Sequence, residues 1–301
     1  MTDKDLRAKY GASAYDAGLK LQPKTFAHRI ALRDSLDQHY TKLWMDFVVT
    51  GMMQRPALDA RTRFLVLTGQ FTMSKSYPML EDNVRAALAA GVKAREILEI
   101  ILQCTVYGGH TAVDPALELF HGIAEELGLL EELRASQLPL DGRDGTRTYE
   151  EEAKTWLEED KADPRFAALK EKHGWLGIGR GLTMRPKHHL NTLSWQDALD
   201  SSWAGLWLAF TYQGMYGRGI VDDKTRLLCM VGNCVAVGEG HEGRAHMKGA
   251  LRKGAKPREI LEVILQSCTN FGMPSMLKAL DRKSTRLNSS HTDISRMPSS
   301  A

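Results

Sequence analysis

Cysteine is scarce, and its spacing does not fit redox chemistry. The 301 residues hold four, at 104, 229, 234 and 268, and none forms a C-x-x-C pair. So few thiols in so long a chain exclude a disulfide framework and predict a reduced protein. Long apolar runs are missing too. No stretch approaches 18 uninterrupted apolar residues, so a transmembrane helix is not expected. The opening MTDKDLRAKYGA has no apolar run after its charges, which argues against a secretory signal. Together these absences predict a cytoplasmic protein away from membranes. Charge of one sign is lacking as well. The formal net charge is +3, and residues 282–301 carry all of it: Arg282, Lys283, Arg286 and Arg296 against Asp293. The other 281 residues sum to zero, so no concentrated basic patch invites a nucleic acid. What remains is 43% apolar content, enough for a sizeable core.

The chain repeats itself. KAREILEIILQ at 93–103 and KPREILEVILQ at 256–266 are nearly one segment, 163 residues apart. At that offset residues 11–117 align on 174–280 without a gap, and 34 of 107 pairs are identical. Asp34, Leu36 and Asp37 meet Asp197, Leu199 and Asp200; Leu43, Trp44 and Phe47 meet Leu206, Trp207 and Phe210; Thr62-Arg63 meets Thr225-Arg226. An ungapped match of that length predicts two copies of one structural unit.

Each copy reads as helix. Ile97, Leu98, Ile101 and Leu102 form one stripe, and Gly91 and Gly254 stand where a left-handed helix C-cap is wanted. Pro257 suits a first helical turn. No alternating strand pattern appears, so the fold class is all-α. The expected organisation is a first helical module over 1–127, a helical linker over 128–173, and a second module over 174–281. The tail 282–301 turns abruptly to Ser, Thr, Arg and Asn; it reads as non-native and disordered.

VGEGHEGRAHMKGALRKG, residues 237–254, crowds Glu239, His241, Glu242 and His246 into eight positions. Glu239, Glu242 and His246 are spaced i, i+3, i+7, one face of a helix. Glu242 lies four residues before His246, so its carboxylate is expected to meet the imidazole and raise its pKa. A solvated face with one i,i+4 pair fits the same spacing. A metal site is the third reading, but His241 lies five residues from His246, on another face, and neither H-x-x-x-H nor H-E-x-x-H occurs. The positions of copy one that match 239, 242 and 246 are Ser76, Met79 and Asn83. One working site per chain, in copy two, is therefore expected, with Tyr107 or His110 of copy one as lining residues. Arg226 can grip a substrate carboxylate. Its counterpart Arg63 persists in the copy without the cluster, which also fits a structural ion pair. Lys187-His188-His189 reads as surface. Of Trp203, Trp207, Phe210, Tyr212 and Tyr216, most should be core, and one or two could line a pocket. Cys229 and Cys234 read as buried small apolar residues.

The D-x-x-T-R start of one helix, the E-x-x-x-H-x-x-x-A-L helix, the K-G turn and the R-E-I-x-E-V-x-L-Q helix of residues 222–280 resemble the carboxymuconolactone decarboxylase family, which shares the alkylhydroperoxidase D-like fold. DARTRFLVLTG and NVRAALAAGVKAREILEIILQCTVYGGH are similar to the same module again. The resemblance implies an all-α fold and ring assembly, here a homotrimer of two-module chains. It also implies a small-molecule substrate and no cofactor. The family's peroxidase branch uses C-x-x-C-x-x-x-H. This chain has Glu239 and Glu242 at the two cysteine positions, and carboxylates cannot exchange thiols. The reading that remains is a cofactor-free decarboxylase or related lyase on a small carboxylated lactone or aromatic ring-cleavage product. His246 would be its general acid or base, with Glu242 and Glu239 at the site and Arg226, His241, Tyr107 and His110 binding substrate. No metal is expected. A hydrolase or isomerase on the same scaffold, or a non-catalytic ring-forming binding protein, are the alternatives.

Overall fold

A computed structural model describes residues 2–139 and 148–280. Among these residues there is no strand. In chain order the helices are α1 (Asp3–Tyr10), α2 (Ala12–Leu21), α3 (Phe26–Leu36), α4 (Gln38–Trp44), α5 (Ala60–Met73), α6 (Tyr77–Ala89), α7 (Ala94–Gln103), α8 (Thr105–Gly108), α9 (His110–Glu126) and α10 (Leu130–Ala135). After 140–147 come α11 (Tyr149–Ala153), α12 (Glu158–Lys161), α13 (Pro164–His173), α14 (Trp175–Met184), α15 (His189–Leu199), α16 (Ser201–Trp207), α17 (Asp223–Ala236), α18 (Gly240–Arg252) and α19 (Pro257–Leu280). π-helical turns follow α4 at Met45–Met52 and α16 at Leu208–Gly214. From α2/α14 to α6/α18 the paired helices start 163 residues apart. Even the break inside α19 at Gly272 (φ 76°, ψ 173°) repeats the α8–α9 break at Gly109 (φ 63°, ψ −176°). Gly91 and Gly254 take the left-handed C-cap conformation expected of them, at φ +84° and +86°.

The D-x-x-T-R motif explains itself locally. Asp59 and Asp222 are N-caps, accepting from Thr62 N and Thr225 N at 2.8 and 2.9 Å, and each threonine hydroxyl returns a bond to its aspartate at 2.8 Å. The arginine that follows is thereby aimed at the other module. α5 and α17, almost wholly buried, pack on each other at the centre of the molecule. Gly69 and Gly232 permit that approach: a Cβ on Gly69 would collide with the Asn233 side chain, and one on Gly232 would lie 2.8 Å from Val66.

Around this crossing runs a reciprocal set of buried ion pairs. Arg63 donates to Gln266 at 2.8 Å, and Arg55 donates to Glu262 at 2.9 Å. In mirror fashion Arg226 donates to Gln103 at 3.0 Å and to Glu99 at 2.8 Å, and Arg218 donates to Glu99 at 2.8 Å. Removing Glu99 or Glu262 strands a buried arginine charge, at a cost of about 3–5 kcal/mol.

Two sequence expectations need correction. Residues 164–173 are not linker. α13 stands to α14 as α1 stands to α2: Leu169 is buried like Leu6, and Lys172 pairs with Asp197 as Lys9 pairs with Asp34. The second module therefore begins before 174. α11 also docks on it, with Trp156 buried over Gly179 and Glu152 accepting from Thr183 at 2.7 Å. The expected disordered tail, 282–301, lies outside the described residues.

The second correction concerns the aromatic stretch expected to be mostly core: Tyr212 and Tyr216 are buried, but Trp203 and Phe210 are 47% and 45% exposed. Leu36, Leu43 and Phe47, together with their counterparts Leu199, Leu206 and Phe210, point outward and are 45–79% exposed. Leu32 and Tyr40, and their counterparts Trp195 and Trp203, extend the same two faces. Scattered exposed apolar residues are ordinary, but the same five positions exposed in both copies are a repeated feature.

Candidate active site

The site starts from α18. Glu239 is its N-cap, accepting from His241 N at 2.9 Å. One turn further the helix presents Glu242, and one turn beyond that His246, which is 1% exposed. The i, i+4 contact expected between them is replaced by two separate partnerships. Glu242 accepts from Arg185 at 2.7 Å. His246 Nε2 instead meets the Tyr107 hydroxyl at 2.5 Å.

Tyr107 comes from α8 of the first module, and its ring stands edge-on to the imidazole with centroids 5.8 Å apart. Behind it the Tyr216 hydroxyl donates to the Tyr107 oxygen at 3.3 Å. With Tyr107 accepting from Tyr216, its own proton is free to point at Nε2; in that arrangement the imidazole proton sits on Nδ1. Arg185 closes the cluster. It follows the last residue of α14 and donates to Glu242 and, at 3.3 Å, to the Tyr212 hydroxyl. Tyr212 and Tyr216 are both buried.

The electrostatics reverse the expectation for His246. Burial, and then the positive charge of Arg185, push its pKa down to about 3, so the imidazole is neutral at physiological pH. Burial also raises Tyr107 and Tyr216, keeping both as hydroxyl donors. Burial opposes the charge on Arg185, but Tyr212 and Glu242 outweigh it and hold the guanidinium protonated. The site thus combines one buried cation, a neutral base and a string of hydroxyl donors.

The other sequence candidates lie elsewhere. Arg226 is fully buried in the intermodule ion pair with Glu99 and Gln103, so its guanidinium is not available to a substrate. His110 is exposed, its imidazole 3.6 Å from Asp114. His241 is exposed beside Arg244 and His188. Glu239 is an exposed cap rather than part of the buried cluster. His189, read as surface, is buried: its ring lies on Gly181, where any Cβ would collide with it, and edge-on to Tyr212 at 4.5 Å. Burial and Arg185 push its pKa down to about 3. Cys229 and Cys234 are buried as expected, and burial pushes both thiols up. Among the described residues no three of His, Cys, Asp and Glu converge into a set that could hold a metal ion. No helix among them is long and apolar enough to cross a membrane.

Arg185 and the buried His189 escaped the sequence reading, which also did not single out Tyr212 within the aromatic stretch. One signal could have found them. At the 163-residue offset they face Gln22, Phe26 and Val49, just as Glu242 and His246 face Met79 and Asn83. The site is where the two copies differ in polarity.

Known proteins bear on this geometry. Residues 202–282 match the model of the carboxymuconolactone decarboxylase family. The chain is 42% identical over 74 residues to an uncharacterized 15.0 kDa protein of the nqo9–nqo10 intergenic region of Paracoccus denitrificans, covering 24% of this chain and 55% of that protein. It is 24% identical over 123 residues to 4-carboxymuconolactone decarboxylase of Acinetobacter baylyi, covering 39% of this chain and 92% of that protein. The chain therefore spans about half the length of the first relative and nearly all of the second. The similarity to the carboxymuconolactone decarboxylase family model lies on the second module.

Proposed function

We propose that the chain is a cofactor-free lyase that decarboxylates a small carboxylated lactone or ring-cleavage product at the Arg185–Tyr107–His246 cluster. The observation that carries this reading is the 2.5 Å bond from Tyr107 to a neutral, buried His246 beside a buried arginine. Breaking the bond to the carboxylate releases CO₂ and leaves the electron pair in a dienolate conjugated to the lactone carbonyl. Arg185 and the tyrosine hydroxyls are preorganised donors for that oxyanion. The net reaction takes up one proton. His246 collects it, because an anion beside the ring favours the imidazolium. Tyr107 then gives its hydroxyl proton to the carbon while taking the proton on Nε2. Glu242 positions Arg185 rather than the imidazole.

The relative named as a 4-carboxymuconolactone decarboxylase supplies the first substrate to try. CO₂ release and ultraviolet absorbance are followed with 4-carboxymuconolactone for the parent and for His246→Ala. Loss of about 10²–10⁴-fold in rate is expected. Undiminished turnover in the variant would move the chemistry away from His246. No turnover by a folded parent would remove this substrate and favour a hydrolase or isomerase at the same cluster.

We further propose that chains assemble through the two outward apolar faces. Each chain offers two equivalent faces, so a closed ring, as in a trimer, covers both.

A further inference from the structure

The two modules treat one patch of surface charge in opposite ways. In the first, Lys24 at the α2–α3 turn donates to Glu81 of α6 at 2.5 Å. Arg85, one turn further along α6, donates to the same carboxylate at 3.3 Å and to Glu126 of α9 at 2.6 Å. Asp82 accepts from Lys24 N and Thr25 N at 2.8 and 3.1 Å. Each cation there meets a carboxylate of its own module. At the 163-residue offset Lys24 and Arg85 stay basic, as Lys187 and Lys248, but Glu81 becomes Arg244 and Asp82 becomes Ala245. The four positions sum to zero in the first module and to +3 in the second.

α12 replaces part of the missing charge. Glu159 pairs with the Lys187 ammonium at 2.8 Å, and Asp160 accepts from Lys187 N at 3.2 Å. Among the described residues neither Arg244 nor Lys248 has a carboxylate partner. Arg244 donates instead to His241 Nδ1 at 3.2 Å, which leaves the imidazole proton on Nε2 as a further donor. His188, from the α14–α15 turn, stands edge-on to His241 with ring centroids 5.3 Å apart. Arg244, Lys248 and His188 are half-buried and His241 is exposed, so all four reach solvent. Like charges gathered without a counter-ion repel one another. Burial, then Lys187 and Arg244, lower the Lys248 pKa. Burial, then Lys248, His241, Arg185 and Arg244, push His188 down to about 4. An anion among them would relieve both.

The arrangement limits which anion. Two full cations without a counter-ion match a dianion, and a guanidinium with an ammonium one turn on supplies the donors that phosphate oxygens take. Glu159, Glu239 and Glu242 border the cluster, each already bonded to one of its neighbours. The positive surface is therefore small and suits one phosphate group rather than a polyanionic chain.

We infer that Arg244, Lys248, His241 and His188 form a surface site for a dianionic phosphate group, free or carried on a small molecule, where the first module uses Glu81 as its own counter-ion. The inference does not draw on the activity proposed for the Arg185–Tyr107–His246 cluster.

The test titrates the full chain with phenyl phosphate, inorganic phosphate and benzoate at pH 7.5 and constant ionic strength, so that screening is the same throughout. Phenyl phosphate is mostly a dianion at that pH, and benzoate keeps the ring with a single charge. Calorimetry reads affinity, and spectra of ¹³C-labelled histidine rings locate the site. Expected are one phosphate group per chain, shifts at His188 and His241 with His110 unmoved, and much weaker binding of benzoate. Inorganic phosphate bound as tightly as phenyl phosphate would support a site for the free ion; tighter phenyl phosphate would support one for an organic monoester. Arg244→Glu installs the residue of the first module. It should abolish binding and raise the thermal midpoint, because Lys187 and Lys248 gain the carboxylate that Lys24 and Arg85 share. Lys248→Met should weaken binding about tenfold; it carries the test alone should Arg244→Glu not fold. Absence of saturable phosphate binding to the folded parent would overturn the inference. So would unaltered binding to both variants, shifts at His110 as large as those at His188, or benzoate bound as tightly as phenyl phosphate.

Discussion

Tyr107 and His246 stand 139 residues apart on different modules, yet the tyrosine hydroxyl and the imidazole Nε2 share a 2.5 Å hydrogen bond. The neighbour that sequence spacing offers His246, Glu242, is occupied instead by Arg185. The buried cluster of the second module is therefore completed by the first.

Tyr107→Phe deletes one hydroxyl and leaves the ring packing in place. If Tyr107 passes the proton to carbon, kcat should fall by about 10²-fold or more with KM little changed. The same substitution strands His246 Nε2 and Tyr216, so a loss of about 1–3 kcal/mol in unfolding free energy should accompany it. Steady-state kinetics and denaturant melts on one preparation separate the two effects.

Arg185 and Arg226 give opposite signatures. Arg226→Met takes away one of the two arginines on Glu99, leaving Arg218, and unpairs Gln103 Oε1, so it should destabilise the protein by about 1–3 kcal/mol. Where folded protein survives, turnover per active chain should be close to the parent's. Arg185→Met leaves Glu242, which is partly exposed, so the stability cost should be smaller. Turnover, by contrast, should collapse with loss of the oxyanion donor. Denaturant midpoints and active-site-normalised rates for both variants check the contrast.

Stability should depend on pH in acid. His246 and His189 are both held at about 3 in the fold, against an ordinary value of 6.5. Below 6.5 the unfolded chain binds protons that the folded chain does not. Stability present above that value should therefore be lost progressively as pH falls toward 3, by up to about 1.4 kcal/mol per pH unit for each histidine. His189→Phe restores the residue of the first module, Phe26, and should flatten the slope. Chemical denaturation of parent and variant between pH 4 and 7.5 measures it.

The outward faces predict assembly. Leu206→Glu or Leu43→Glu puts a charge on one of the exposed apolar faces. Each should break one of the two contacts per chain, and the double substitution should give monomers by light scattering, with helical content retained. A parent that is itself monomeric at high concentration would end the ring proposal.

The sequence by itself determined the helices and their ends. Capping aspartates at 59 and 222, glycines at 91 and 254 and an apolar period of three to four residues act within a few residues of themselves. The 163-residue repeat likewise made two modules legible, and with them the asymmetry between His246 and Asn83. Helical spacing also put Glu242 and His246 on neighbouring turns. It could not choose their partners, because a side chain on a helix face takes whatever the packed neighbour presents. Arg185, Tyr107 and Tyr216 arrive from three other segments, and only the crossing of the modules brings them to α18. The same crossing took Arg226 out of contention, since a buried guanidinium must be paired and Glu99 of the other module pairs it. Local charge pattern pointed to a raised imidazole pKa; burial lowered it, because taking the ring out of water penalises its charged form, and the nearby charge is that of Arg185, with Glu242 turned to the arginine instead of the ring.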